Sequence, residues 1–200
     1  MKIINRLAFI LLPLGIPFIA TAADEWSSNH RANDRDAHHA SSPHRGYSPL
    51  VDKVRKATAR FKDVNVATNE GWVPGTPCVS GPNSGAMGVH FVLGERLQDA
   101  VVNADEPEAL IYEPLPGGAL RLVGVEFILL APNWEEAHPE GGAPQLDGHL
   151  MNYVGAPNRY GLPAFYELHV WAWEHNPNGS FADWNTLVSC DKQQPPPPAP

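Results

Sequence analysis

A strand that is apolar on both faces has to lie inside a covered sheet, and residues 164–175, AFYELHVWAWEH, read as such a strand. Its side chains alternate, so Phe165, Glu167, His169, Trp171, Trp173 and His175 share one face. Ala164, Tyr166, Leu168, Val170, Ala172 and Glu174 take the other. Asn176-Pro177-Asn178-Gly179 then stops the strand, because Pro presets φ and Asn-Gly tolerates positive φ. Phe181 and Trp184 are expected to fold back over the sheet. Trp171, Trp173 and Trp184 therefore read first as core residues.

A second pair of strands sets the sheet's topology. Residues 109–113 and 119–130 are apolar runs joined by Pro114-Leu115-Pro116-Gly117-Gly118, which predicts an antiparallel hairpin with a five-residue loop. In the longer run Leu120, Leu122, Gly124, Glu126 and Ile128 should share a face, with Arg121, Val123, Val125, Phe127 and Leu129 opposite. Residues 86–93, AMGVHFVL, form a further strand, with His90 on the face of Ala86, Gly88 and Val92.

Ahead of the strands, Ser48 suits an N-cap and Pro49 the first helical position. Leu50, Val54, Ala57, Phe61 and Val64 recur at helical spacing, which predicts one amphipathic helix ending at Gly71. Lys53, Arg55, Lys56, Arg60 and Lys62 lie mostly off that face, as a solvated surface or a salt-sensitive contact with the acidic body. Residues 71–85 are a Gly- and Pro-rich loop without Gly-Lys-Ser/Thr, so it is no phosphate cradle. Residues 95–106 are polar and acidic with one helical turn. Residues 132–163 form a long connection of the kind that often serves as a lid or binding loop, with a capped turn at 133–136.

The N-terminus carries an address. Lys2 and Arg6 precede an apolar run broken by Pro13, Gly15 and Pro17, and Ala20-Thr21-Ala22 is an A-x-A cleavage site, which predicts a signal peptide over residues 1–22. Its loss moves the net charge from −8 to −10, since it carries two cations and no acid. So acidic a chain is a poor partner for nucleic acid or anionic lipid, and no membrane span is expected after cleavage. Residues 23–47 read as a disordered leader with His30, His38, His39 and His44, which suits loose metal binding or a plain spacer. Residues 193–200 read as a Pro-rich extended tail. Export to the periplasm or outside the cell implies an oxidising space, and Cys78 and Cys190 are the only cysteines. A disulfide between them is expected.

The motifs PEALIYEPLPGGALRLVGVEF and WEHNPNGSFADWN resemble those of a family of small secreted bacterial proteins. The resemblance covers residues 49–190: the helix, a Cys followed by a GAMGVHF strand, the ALIYEP…LRLVGVE hairpin and an EHNPxGxFADWN ending with Cys. It departs at Thr186, where the family pattern has Pro. It implies the fold and carries no assigned activity, so no catalytic residue transfers.

The expected fold is thus α+β: an N-terminal amphipathic helix packed on an antiparallel β-sheet, one domain over residues 48–192, tied by one disulfide. Its chemistry centres on Glu126, a carboxylate inside an apolar strand, which is costly to bury unless paired, hydrogen-bonded or on a metal. His90 and His169 are likewise mid-strand. Two imidazoles and a carboxylate on rigid strands match the ligand set for divalent Fe, Zn or Mn. His175 is a fourth candidate, although six residues from His169 place it roughly 20 Å along an extended strand. The alternative is ordinary pairing: Glu126 with Arg121 or a Tyr, each His with a backbone carbonyl. Three functions follow as candidates: a secreted protein binding a metal or small ligand, a metal-dependent enzyme with a 2-His-1-carboxylate site, and a structural or interaction protein of the envelope.

Overall fold

The computed structural model describes residues 48–193. The expected signal peptide and His-containing leader, and the Pro-rich tail beyond Gln193, lie outside the described residues.

Helix α1 (Pro49–Thr58) starts where the sequence places it, with Ser48 Oγ accepting from the Val51 N–H. The single predicted helix is broken, however. Thr58 donates to the Val54 carbonyl at 2.7 Å, a back-bond that loosens a helix, and residues 59–62 tighten into a 3-10 turn. Asp63 then caps a separate helix α2 (Val64–Asn69), accepting from the Asn65 N–H at 2.9 Å. Gly71, at φ +92°, ends α2. Its N–H reaches Thr68 O, and that of Trp72 reaches Ala67 O.

The strands follow: β1 (Val73–Pro74), β2 (Val79–Gly81) and β3 (Gly85–Val92), then a short helix α3 (Gly94–Leu97). The hairpin β4 (Ala109–Pro114) and β5 (Leu120–Leu130) forms as expected. Helix α4 (Ala131–Ala137) grows directly out of β5, two residues before the expected cap at Asn133. The long connection holds a small ribbon, β6 (Gln145–Leu146) with β7 (His149–Leu150), and an edge strand β8 (Asn152–Val154). Strand β9 (Phe165–Val170) enters between β5 and β8. The main sheet runs β1-β3-β4-β5-β9-β8, with β2 also on β3, and every pairing is antiparallel.

Two expectations about side-chain faces fail for local reasons. The β4–β5 register passes from Tyr112↔Leu122 to Ile111↔Gly124, leaving Val123 as an extra residue. That bulge turns Leu122 into the same cluster as Val125 and Phe127, while Val123 packs with Trp171 on the other side. Glu126 keeps its alternation relative to Phe127. Strand β9 also stops earlier than its apolar run. The Ala172 N–H bonds back to Val170 O and the Trp171 N–H to Ser180 O. The chain turns there and carries Trp173 to the opposite face, where its indole N–H meets Thr58 Oγ1 at 3.1 Å.

The larger core unites Leu50, Val51 and Val54 of α1 with Phe91, Leu110, Tyr112, Val125, Phe127, Leu168 and Val170. The buried Tyr112 hydroxyl donates to Phe61 O at 2.6 Å. The other face carries two smaller apolar groups, Ala86, Ile111, Val123, Trp171 and Val188 on one side and Ala109, Ile128, Leu130 and Phe165 on the other. The Cys78–Cys190 disulfide is present and spans 112 residues. No helix among the described residues is long and apolar enough to cross a membrane.

Candidate metal centre

Polar groups lie on that second face, among the two small apolar groups. Strand register puts Glu126 directly opposite His169. His90 lies two strands from Glu126, across β4. Register pairs His90 with Ile111 and Ile111 with Gly124, while Glu126 pairs with Ala109, so the two side chains meet on a diagonal across β4. His90 Nε2 meets Glu126 Oε2 at 3.1 Å. His169 Nε2 lies 4.0 Å from Glu126 Oε1. The two imidazole rings are edge to face at 6.0 Å. The three predicted residues converge, with their ligand-type atoms within 4.8 Å of one another. All three side chains are buried: 5 % exposed for His90, 6 % for Glu126 and 0 % for His169.

Backbone devices hold this arrangement. Gly88 sits at φ +109°, and a Cβ there would lie 2.7 Å from Tyr112 O, so only glycine lets β3 press against β4 just before His90. Thr76 Oγ1 accepts from the His90 backbone N–H at 3.4 Å and lies 3.2 Å from Nδ1, fixing the ring.

Two residues that were not singled out from the sequence complete the group. Glu167 is buried beside Glu126, whose nearby charge adds to burial in pushing the Glu167 carboxyl up. Asp183 places Oδ1 3.9 Å from His169 Nδ1 and accepts from Asn152 Nδ2. Glu167, His169 and Asp183 make a second set of ligand-type atoms within 4.8 Å. Glu167 was legible in principle, as it precedes His169 by two in an alternating strand. Asp183 was not, because a loop delivers it. Asn176 and Asn185, both buried, tie that loop: Asn176 Nδ2 donates to Trp184 O, and Asn185 Nδ2 to His175 O. Asn185 also exchanges backbone hydrogen bonds with Ala86 at the start of β3. The FADWN motif thus carries the acid to the imidazole.

His175 is not part of the group. It is exposed, beyond the turn that ends β9, beside a separate depression of about 590 Å³ that also touches Arg55 and Trp173. Arg121 does not pair with Glu126. It bridges Glu113 and Glu174, the latter at 2.7 Å.

Burial dominates the electrostatics. It pushes His90 down to about 4 and His169 down to about 3. The same desolvation pushes the Glu126 and Glu167 carboxyls up. With the His90 imidazole held neutral, its short contact with Glu126 is a hydrogen bond and not an ion pair. Neutral imidazoles with free lone pairs are the form that ligates metals. Both ring nitrogens of His169 are buried with no hydrogen-bond partner. Ligand atoms about 2.1 Å from a shared ion lie roughly 3–3.5 Å apart, so the observed 3.1 and 4.0 Å separations need a contraction of under about 1 Å.

A cavity of about 150 Å³ opens on the group. His90, Glu126, Thr76 and Tyr160 are its polar lining, with Val92, Leu97, Ile128, Leu162 and Phe165 as apolar walls. Asn158 holds the far wall, its Oδ1 accepting from the Tyr160 and Leu162 N–H groups at 3.2 and 3.3 Å. Comparison with family models, with curated proteins and with solved structures finds no match to the chain.

Proposed function

We propose that this chain is an exported metal-binding protein that holds one divalent transition metal, Fe, Zn or Mn, on His90, Glu126 and His169. The observation that carries the reading is His169. Its two ring nitrogens are buried and unpartnered, and each faces a carboxylate near 4 Å. Leaving a buried polar atom unpaired costs about 1–3 kcal/mol, and an ion between His169, Glu126 and His90 removes that cost. On binding, His90 would present Nε2 to the ion and donate Nδ1–H to Thr76 Oγ1, the outer hydrogen bond that metal-bound imidazoles use. Asp183 stands where it would take the same role for His169.

The test is metal content. The untagged full chain and its His169→Ala variant are dialysed against Zn(II), Fe(II) or Mn(II) and analysed. The wild type should retain one more ion per chain than the variant. The leader histidines are common to both, so equal content in the two proteins rejects the site.

A second reading, a metal-dependent enzyme, is favoured by one further observation. His90 and Glu126 line the cavity, so an ion bound to them keeps a coordination position open towards it.

A further inference from the structure

We infer that the cavity beside His90 and Glu126 takes a small aromatic monocarboxylate, with its ring among the apolar walls and its carboxylate on the metal ion. The inference rests on the metal centre proposed above and names what would occupy the open position. Three features of the cavity select this class.

The first is size. At about 150 Å³ the cavity matches the volume that accepts a benzene ring, and it cannot enclose a nucleotide or a long acyl tail. The second is the distribution of polarity. Val92, Leu97, Ile128, Leu162 and Phe165 offer nothing that hydrogen-bonds, so the body of the ligand is apolar. Tyr160 stands edge-on to Phe165, with ring centroids 5.9 Å apart, and the two give a flat ring an aromatic wall. The third is the polar end. His90 and Glu126 reach the lining whereas His169 does not, so a bound ion would sit at the cavity floor. Such an ion takes an anionic oxygen and repels an ammonium head. A neutral ring such as toluene would leave the open coordination position and the Thr76 hydroxyl without a partner. The walls are already set. Asn158 pins the Tyr160–Leu162 segment through both its side-chain oxygen and its amide, so little ordering is left for binding to supply.

Co(II) serves as a visible probe in the full chain. A ligand-field band that is absent in Glu126→Gln establishes the centre. Benzoate and acetate, which share a head group, are then titrated into the Co(II)-loaded protein. Benzoate should shift the band saturably, at about tenfold or more lower concentration than acetate, through burial of its ring. Leu97→Trp and Leu162→Trp, each on the half-buried rim, should erase that preference and leave Co(II) affinity unchanged. Equal response to the two anions, no response to benzoate, or benzoate binding undiminished in both Trp variants overturns the inference and leaves the metal centre standing. Absence of any Glu126-dependent Co(II) band removes the centre itself. The comparison of the two anions needs no variant, so it decides the matter even where a Trp substitution unfolds the chain.

Discussion

Replacing Glu126 by Gln should make the metal-free protein more stable at alkaline pH and abolish its response to metal. Burial raises this carboxyl from 4.5 to about 7, and Glu167 beside it rises further. A carboxyl whose folded value is raised holds its proton longer in the folded state. Its contribution is therefore intact below the unfolded value and is lost as pH rises through the window from 4.5 to about 7. The Glu126 shift alone converts to about 3 kcal/mol. His90 and His169, held low by burial, act in the opposite sense, and because His90 touches Glu126 the comparison reads that contact together with the carboxyl. Hydrogen bonds changed by the Gln amide contribute alike at both pH values. Urea unfolding of wild type and Glu126→Gln in chelator, at about pH 4.5 and about pH 8, isolates the difference. The variant should gain about 3 kcal/mol relative to wild type between the two conditions. Zn(II) at a hundredfold excess over its Kd should then add about 2.7 kcal/mol to the wild type and nothing to the variant. If the variant is destabilised by the same amount at both pH values, and Zn(II) stabilises both proteins alike, the reasoning about a buried, metal-ready carboxylate fails.

Further outcomes follow from the same structure. Glu108 is buried, accepts from the Ile128 N–H at 2.8 Å and is pushed by burial up to about 8. Glu108→Gln should relieve roughly 4–5 kcal/mol of destabilisation as pH rises from 4.5 to 8, and chelator should make no difference to its urea curves. Reducing Cys78–Cys190, or replacing both by Ser, should lower unfolding stability by about 4–5 kcal/mol on the chain-entropy account, read from denaturant midpoints. Gly88→Ala drives a Cβ to 2.7 Å from Tyr112 O at φ +109° and should cost about 3 kcal/mol or more. A variant with wild-type thermal stability would show that β3 does not depend on that close approach.

The strands and the three converging residues were legible because they rest on alternation. A Glu or His in an apolar strand that is covered on both faces has to be buried, and Glu126, His90 and His169 each stood in such a run. What alternation cannot supply is register across the sheet. That Glu126 faces His169 depends on pairing through β5–β9, and that His90 reaches Glu126 depends on a diagonal across β4, where His90 pairs with Ile111 and Glu126 with Ala109. Alternation also fails where a strand carries an extra residue. Val123 has no local mark as a bulge, so Leu122 turned to the opposite face from the one expected. Trp173 crossed over because β9 ended in a tight turn at Trp171, stabilised by a carbonyl from Ser180 nine residues on. Asp183 arrived through a loop whose shape comes from Asn176, which read in sequence only as a turn former, and from Asn185. The helix break at Thr58 and Asp63 was open to a stricter reading, since Asp63 is a good N-cap inside the apolar period.

The most direct measurement is a crystal structure of the full chain loaded with Zn(II), with the ion located by its anomalous scattering. The account predicts one ion about 2.0–2.2 Å from His90 Nε2, a ring nitrogen of His169 and a carboxylate oxygen of Glu126, with the Glu126–His169 separation drawn in from 4.0 Å. Anomalous peaks confined to other histidines, with His169 still unligated between its two carboxylates, would contradict it.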